Sequence, residues 1–303
     1  MKHVSDIRKR LLRSRALYVM FSLPFVYFLI FHYLPLAGNL MAFQNYNIMK
    51  GFLHSPWVGT KYFQQFLHDP YFWKVVRNTV LINVYSLIFY FPSSIVFALL
   101  LHELTGSVFK RFVQSVTYLP HFLSTVVVAG MVVNFLSYKG LINDFVGWLG
   151  GEPRTFLSLP EWFRTIYVSS EIWQGLGWNS IIYLAALASI DPQLYEAATV
   201  DGANRWNRTI HITLPGIATV VTIMFLLAVG NMMTVGFEKI ILLYSGPTYE
   251  TGDVIQTFVY RRGLVDADFS YAAAVGIFQS VIAFALVIGA NYLSRKVDGA
   301  RLF

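Results

Sequence analysis

Apolar residues run along this chain in six long blocks, at 16–36, 76–101, 112–136, 166–188, 213–236 and 271–293. A hydrocarbon core of about 30 Å is crossed by roughly 20 helical residues. Each block is therefore long enough to span a bilayer, and the pattern predicts an all-α polytopic membrane protein with about six transmembrane helices. Pro120 and His121 interrupt the third block and Glu171 the fourth, so the pattern is weakest there. The connections at 37–75, 137–165 and 237–270 are long enough to hold short helices. Their aromatic residues, among them Tyr46, Trp57, Tyr62, Tyr71 and Trp73, suit packing at an interface. The whole chain, 1–303, reads as one transmembrane domain.

Composition agrees with the pattern. The chain is 56% hydrophobic and 13% charged, where soluble domains carry about 25% charged residues. Net charge is +7, but the basic residues gather at span boundaries rather than on a soluble face, which argues for membrane topology and against nucleic acid. Lys2, Arg8, Lys9, Arg10, Arg13 and Arg15 precede the first block. Lys110, Arg111, Arg205, Arg208, Arg295, Lys296 and Arg301 fall on short segments of the same side. The positive-inside rule then places both termini and the connection at 189–212 in the cytoplasm. The first block is longer than a signal-peptide core and no A-x-A site follows, so it reads as a retained anchor. With no cysteine in the chain, disulfides and thiolate metal sites are excluded. No metal-ligand constellation is seen: His102-Glu103 starts like a zinc-protease motif, but Gly106 stands where the second histidine belongs.

The connection between the fourth and fifth blocks has its own grammar. In "SIDPQLYEAATVDGANRW", Asp191 can cap free backbone N–H groups and Pro192 fits a first helical position. A helix is predicted to Asp201, then a bend at Gly202, where glycine permits a left-handed backbone. A second short helix follows, with Trp206, Ile210 and Leu214 on one face, and Pro215 marks the start of the next span. Residues 191–211 thus predict a compact helix, bend, helix knob. Read physically, it either rests on lipid headgroups or docks a partner.

Glu196-Ala197-Ala198, Gly202 and Ile212-Thr213-Leu214-Pro215 stand at the spacing of the EAA motif, EAA-x3-G-x9-I-x-LP, and every fixed position matches. The chain resembles the membrane permeases of ATP-binding-cassette importers, of the type I, MetI-like fold and the maltose-type family. The layout of the blocks is similar over nearly the whole chain. The stretches "SVTYLPHFLSTVVVAGMVVNFL" and "GLIN" resemble the branch for oligosaccharides and polysaccharide fragments, which includes alginate and pectin-fragment importers. The resemblance implies a coupling helix at 191–211, with Glu196, Ala197, Ala198, Asp201, Gly202 and Arg205 meeting a cytoplasmic ATPase. It further implies a second permease in a heterodimer, two ATPase subunits, an extracytoplasmic solute-binding protein, and location in a bacterial plasma membrane. No G-x-x-x-x-G-K-[ST] occurs, so this chain is expected to bind no cofactor, with ATP and Mg held by the ATPase.

Polar residues inside spans are expensive and usually face a bundle interior or watery cavity. Gln174, Trp178 and Asn179 share a face of the fourth span with Glu171, while Asn83, Asn231 and Gln279 lie on the second, fifth and sixth. Amides offer donors and acceptors to sugar hydroxyls, and an indole packs against a pyranose face. These six residues are the candidate substrate path, against the alternative that the amides bridge helices. Glu171 is read as an interfacial residue paired with an arginine. Ala272, Gly276, Ser280 and Ala283 form a small-residue seam suited to close helix contact. An importer of another solute, an intramembrane enzyme and a channel are the rival readings. The enzyme lacks paired catalytic groups, and a channel has no need of the knob.

Overall fold

The structure is a computed structural model and describes residues 14–297, with side chains through Tyr292. The basic residues outside that range, and the termini whose side of the membrane they predict, lie outside the described residues. The fold divides into two compact units, one within Met1–His68 and Arg262–Ile277, the other within Asp69–Arg261 and Phe278–Phe303.

In the first unit, α1 (Arg15–Phe43) is a long apolar helix whose side chains from Leu17 to Leu36 are largely exposed, as a lipid-facing helix requires. A short antiparallel bridge joins Gln44 to Trp57, and α2 (Lys61–Leu67) follows. The start of the last helix closes this unit. Ser270 Oγ donates to the Gln44 carbonyl at 2.7 Å and accepts from the Tyr46 N–H at 2.9 Å, while Tyr62 Oη donates to Asn45 at 2.8 Å.

The second unit holds α3 (Phe72–Glu103), α4 (Ser107–Tyr118), α5 (Thr125–Leu136), α6 (Leu141–Trp148), α7 (Pro160–Ala188), α8 (Pro192–Val200), α9 (Arg205–Gly230), α10 (Phe237–Leu243) and α11 (Ile255–Tyr260). The final helix, α12 (Phe269–Val297), begins in the first unit and continues in the second. The central helix is α7, which runs against α3, α4 and α9. One core gathers Ile82, Phe163, Tyr167, Val235, Ile240 and Val254, and another Ala98, Tyr183, Leu187 and Ile217.

Prolines shape the long helices in a repeated way. Wide π-helical turns occupy Leu29–Tyr33, Ser86–Tyr90 and Thr209–Thr213, each ending two residues before a proline, at Pro35, Pro92 and Pro215. A helical proline lacks its N–H and its ring crowds the carbonyl four residues back. A π turn absorbs both defects without ending the helix.

Five described helical stretches are long and apolar enough to cross a membrane: Arg15–Phe43, Phe72–Glu103, Thr125–Trp148, Arg205–Gly230 and Phe269–Tyr292. With the 29-residue α7, which carries Glu161, Arg164 and Glu171, the expectation of about six holds. Some boundaries need correction. The block at 112–136 is not one helix: α4 passes into a 3-10 turn at Leu119–Phe122, the backbone is extended at Leu123 and Ser124, and α5 starts afresh. Pro120 cannot supply the hydrogen bond that would continue α4, and Ser124 Oγ caps α5 by accepting from Val127 N–H at 3.3 Å. The fifth helix stops at Gly230 rather than 236, because residues 231–236 turn toward α10.

Candidate functional site

The π turn of α3 and the N-terminal half of α7 face each other around Glu171. Its two oxygens accept from Ser86 Oγ at 2.7 Å and Tyr167 Oη at 3.0 Å. The expected arginine partner is replaced by hydroxyls, because Arg164 is drawn instead to Asn78 Oδ1 at 2.9 Å. Tyr167 Oη also accepts from the Gly236 N–H at 3.0 Å, tying α7 to the turn before α10. One face of the cluster opens on a cavity of 290 Å³ lined by Asn83, Ser86, Tyr90, Tyr167, Asn179 and Asn231 among others. A second cavity, of 400 Å³, is lined by His121, Ser124, Thr125, Gln174 and Lys239. Tyr90 and Glu171 belong to the walls of both.

Of the six sequence-predicted path residues, Asn83, Asn179 and Asn231 meet in the first cavity and Gln174 lines the second. Asn179 donates to Tyr90 Oη, and Asn83 Nδ2 donates to the Thr79 carbonyl of its own helix at 2.9 Å. Trp178 lies apart from both cavities, stacked on the His121 ring at 4.4 Å and 5°. Gln279 Nε2 donates to the Met233 carbonyl at 2.5 Å, a bridge from α12 to the segment after α9. Sequence reasoning passed over Ser86, Tyr90, Tyr167 and Lys239. The signal for the first two was Pro92, whose π turn brings them to the cavity walls. For Lys239 it was a single cation in the apolar run "KIILL". Burial pushes the Lys239 pKa down, and the Glu171 carboxylate opposes that shift.

The predicted first helix and bend are present, but the second arm is not a separate short helix: it runs unbroken through its π turn into the fifth span as α9, the π turn accommodating Pro215 without a stop. Asp191 Oδ1 accepts from the Gln193 N–H at 2.9 Å and α8 starts at Pro192. At its far end Gly202 adopts φ +77°, and the Gly202 and Ala203 N–H groups donate to the carbonyls of Thr199 and Ala198 at 3.1 and 2.8 Å. This is the left-handed helix stop that favours glycine. Asn204 Oδ1 then accepts from the Asn207 N–H at 2.8 Å and opens α9. Glu196, Ala197, Asp201, Gly202 and Arg205 are exposed and Ala198 is half-buried. Leu194, Val200 and Trp206 add exposed apolar surface beside them, with Val200 88% exposed. Arg205 Nη1 stands 3.9 Å from Glu103 Oε2 at the end of α3. Pairs so exposed contribute only about 0–1 kcal/mol.

Within the second unit, long apolar helices, polar cavities and an exposed, sharply bent element between α7 and α9 are the features of a transport subunit embedded in a membrane. Residues 91–299 match the family described as "Binding-protein-dependent transport system inner membrane component". The chain belongs to this family; it is a permease subunit of an ABC importer, a transport component and not an enzyme. It is 41% identical to Protein LplB of Bacillus subtilis (strain 168), covering 96% of this chain and 92% of that protein. It is 42% identical to the polygalacturonan/rhamnogalacturonan transport system permease protein YteP of the same organism, covering 95% and 92%. A chain in the crystal structure of a bacterial ABC transporter involved in import of the acidic polysaccharide alginate is 42% identical, with a TM-score of 0.90 over 97% of this chain and 99% of that one. A chain in the crystal structure of a bacterial alginate ABC transporter in complex with an alginate pentasaccharide-bound periplasmic protein gives a TM-score of 0.89 at 42% identity.

Proposed function

We propose that this permease forms half of the translocation pathway for an oligosaccharide or polysaccharide fragment and works in a heterodimer with a second permease. Two cytoplasmic ATPase subunits hold the ATP and Mg, this chain binding no cofactor, and an extracytoplasmic solute-binding protein delivers the sugar. The complex sits in a bacterial plasma membrane with both termini of this chain in the cytoplasm. The observation that carries the reading is the pairing of two features on one chain. One is a polar interior formed by Asn83, Asn179, Asn231 and Gln174; the other is the exposed knob built on Glu196, Ala197, Ala198 and Gly202. The names of the relatives point to carbohydrate.

In this reading ATP draws the ATPase subunits together, the knob at 191–211 moves with them, and the spans rock between outward-facing and inward-facing states. Such coupling requires ATP and sugar each to bind the two states unequally. Amide side chains suit sugar hydroxyls because they both donate and accept. The test is ATP-dependent uptake by the complete transporter in proteoliposomes, with its binding protein, of the oligosaccharide which that protein retains. Asn231→Ala, which changes the wall of the first cavity, should lower uptake while the ATPase subunits still co-purify. Uptake without ATP, or no uptake of any oligosaccharide, would overturn the reading.

A further inference from the structure

The chain leaves α1 through a closed loop. Phe43, the last residue of α1, accepts through its carbonyl from the N–H groups of Val58 and Gly59 at 2.8 and 3.2 Å, so residues 44–57 start and finish at one point. Inside the loop the Asn45 N–H donates to the Pro56 carbonyl at 2.8 Å, the Gln44 side-chain amide donates to the Phe52 carbonyl at 3.1 Å, and Gly51 turns the chain with φ +66°. Ser55 Oγ accepts from the Asn47 N–H at 3.1 Å and donates to the Gly51 carbonyl at 2.6 Å, which closes the tip. What this frame holds outward is apolar: Met49 and Leu53 are each 93% exposed, and Ile48 and Trp57 are exposed beside them. Lys50 stands between Met49 and the turn, and no Asp or Glu occurs from Arg15 to His68.

Apolar surface held in water is unfavourable in proportion to its area, and the apolar phase at hand is the bilayer. The exposed apolar face of α1 continues through Leu36 to Leu40. At about 1.5 Å per residue, and about 2 Å in the 3-10 end at Ala37–Phe43, the 29-residue helix is about 45 Å long, the depth of a bilayer with its headgroups. Its Phe43 end, and the loop closed on it, therefore emerge at the membrane surface. Apolar side chains, an exposed tryptophan, a lysine and no acidic residue make up a surface that binds anionic lipid. We infer that residues 46–57 are a membrane anchor: Ile48, Met49 and Leu53 enter the boundary between headgroups and acyl chains, and Lys50 meets the phosphates of anionic lipids. A protein partner would have to draw the same side chains out of the phase they border, which makes it the lesser fit.

The chain has no cysteine, so an introduced thiol reports its own position. The experiment uses the complete transporter in nanodiscs of phosphatidylcholine, with or without phosphatidylglycerol, carrying Leu53→Cys or Met49→Cys labelled with a fluorophore. The signal is read as the increment over the unsubstituted complex. Quenching by lipids that bear a nitroxide near the headgroup is compared with quenching by acrylamide in the water. Both positions should be quenched by the lipid and protected from acrylamide. In the anionic membrane, adding Lys50→Gln should lower the ratio of lipid to acrylamide quenching roughly fivefold, as expected for one lysine at an anionic surface. In phosphatidylcholine alone Lys50→Gln should leave that ratio unchanged. Quenching by acrylamide in place of lipid, protection that arises only when the solute-binding protein is added, or a ratio indifferent to phosphatidylglycerol and to Lys50 would each overturn the anchor.

Discussion

The hydroxyl of Tyr195 lies 3.0 Å from Oγ1 of Thr213, eighteen residues along the chain, so the exposed helix α8 is fastened to the π turn of α9. Thr213 Oγ1 in turn donates to the Arg208 carbonyl at 3.3 Å, and Arg208 Nη1 donates to Thr199 Oγ1 at 3.0 Å. Two pairs of side chains, Tyr195 with Thr213 and Arg208 with Thr199, thus cross-link the two arms of the knob, so α8 is joined to the fifth span by more than the bend at Gly202.

Tyr195→Phe should loosen that fastening while leaving the ring in place, at a cost of about 1 kcal/mol for one hydrogen bond. Membrane insertion and co-purification of the ATPase subunits should be unchanged. More ATP should be hydrolysed per sugar imported, because the lever yields before the span moves. The measurement is the ratio of phosphate released to sugar taken up in proteoliposomes. An unchanged ratio would remove Tyr195 from the coupling route.

Gly202 explains its own identity through the backbone rather than through space. A side chain there would meet nothing within 4 Å, but φ is +77°. For an L-residue the left-handed region costs roughly 1–2 kcal/mol, and asparagine tolerates it better than most. Gly202→Val should therefore open the bend and reduce recovery of the ATPase subunits with the purified permease, whereas Gly202→Asn should retain most of it. Equal recovery for both variants would show that the bend does not matter to docking.

The knob was legible because its determinants are local. Asp191, Pro192, Gly202 and Asn204 each dictate backbone geometry within a few residues, and a sequence displays such signals directly. The spans were legible in number for the same reason, since apolar length is a property of one segment. The break at Leu123 and Ser124 was hidden by the apolar residues on either side, which continue the hydropathy of the block across an interruption that Pro120 causes. The cavities were legible only in part. Asn83, Asn179 and Asn231 announce themselves as amides in apolar helices, but whether they converge depends on tertiary packing. Trp178 shares the α7 face by helical spacing and still ends on His121, because the short segment from Leu119 to Phe122 lies beside it. Glu171 looked interfacial because the sequence gives no sign that the π turn of α3 would bring Ser86 to it.

Helices α7 and α4 approach closely at Gly177. A Cβ there would lie 2.6 Å from the Thr117 carbonyl carbon and 2.8 Å from the Tyr118 ring, so α7 and α4 touch through backbone. Gly177→Ala should lower the thermal unfolding midpoint of the detergent-purified protein, by the equivalent of about 1–3 kcal/mol for overpacking. Gly130→Ala is the control: a Cβ there meets nothing within 4 Å, and it lies within α5. Alanine in a helix interior gains about 1 kcal/mol over glycine, so that midpoint should hold or rise. A similar fall in both would mean that glycine itself, not the contact with Thr117, is what the fold requires.

Asp253 anchors the segment after α10. Its carboxylate accepts from Arg261 Nη1 and Nη2 at 2.8 and 2.6 Å and from Thr257 Oγ1 at 2.7 Å, and its side chain is 1% exposed. Asn78 Nδ2 donates to the carbonyls of Asp253 and Glu250 at 3.0 and 2.9 Å, fixing the segment to α3. Its hydrogen bonds to Asp253 raise the Arg261 pKa above its ordinary value, so the guanidinium stays charged. Asp253→Asn leaves the guanidinium without its counter-charge. Breaking a buried pair costs about 3–5 kcal/mol, and the 28% exposure of Arg261 argues for the lower end. The variant should show faster proteolysis between residues 245 and 262 and a lower unfolding midpoint. Adding Arg261→Met to Asp253→Asn should restore part of the loss, since the stranded charge is then gone. If the double variant is no better than the single one, the segment depends on the fork geometry itself rather than on neutralising a buried cation.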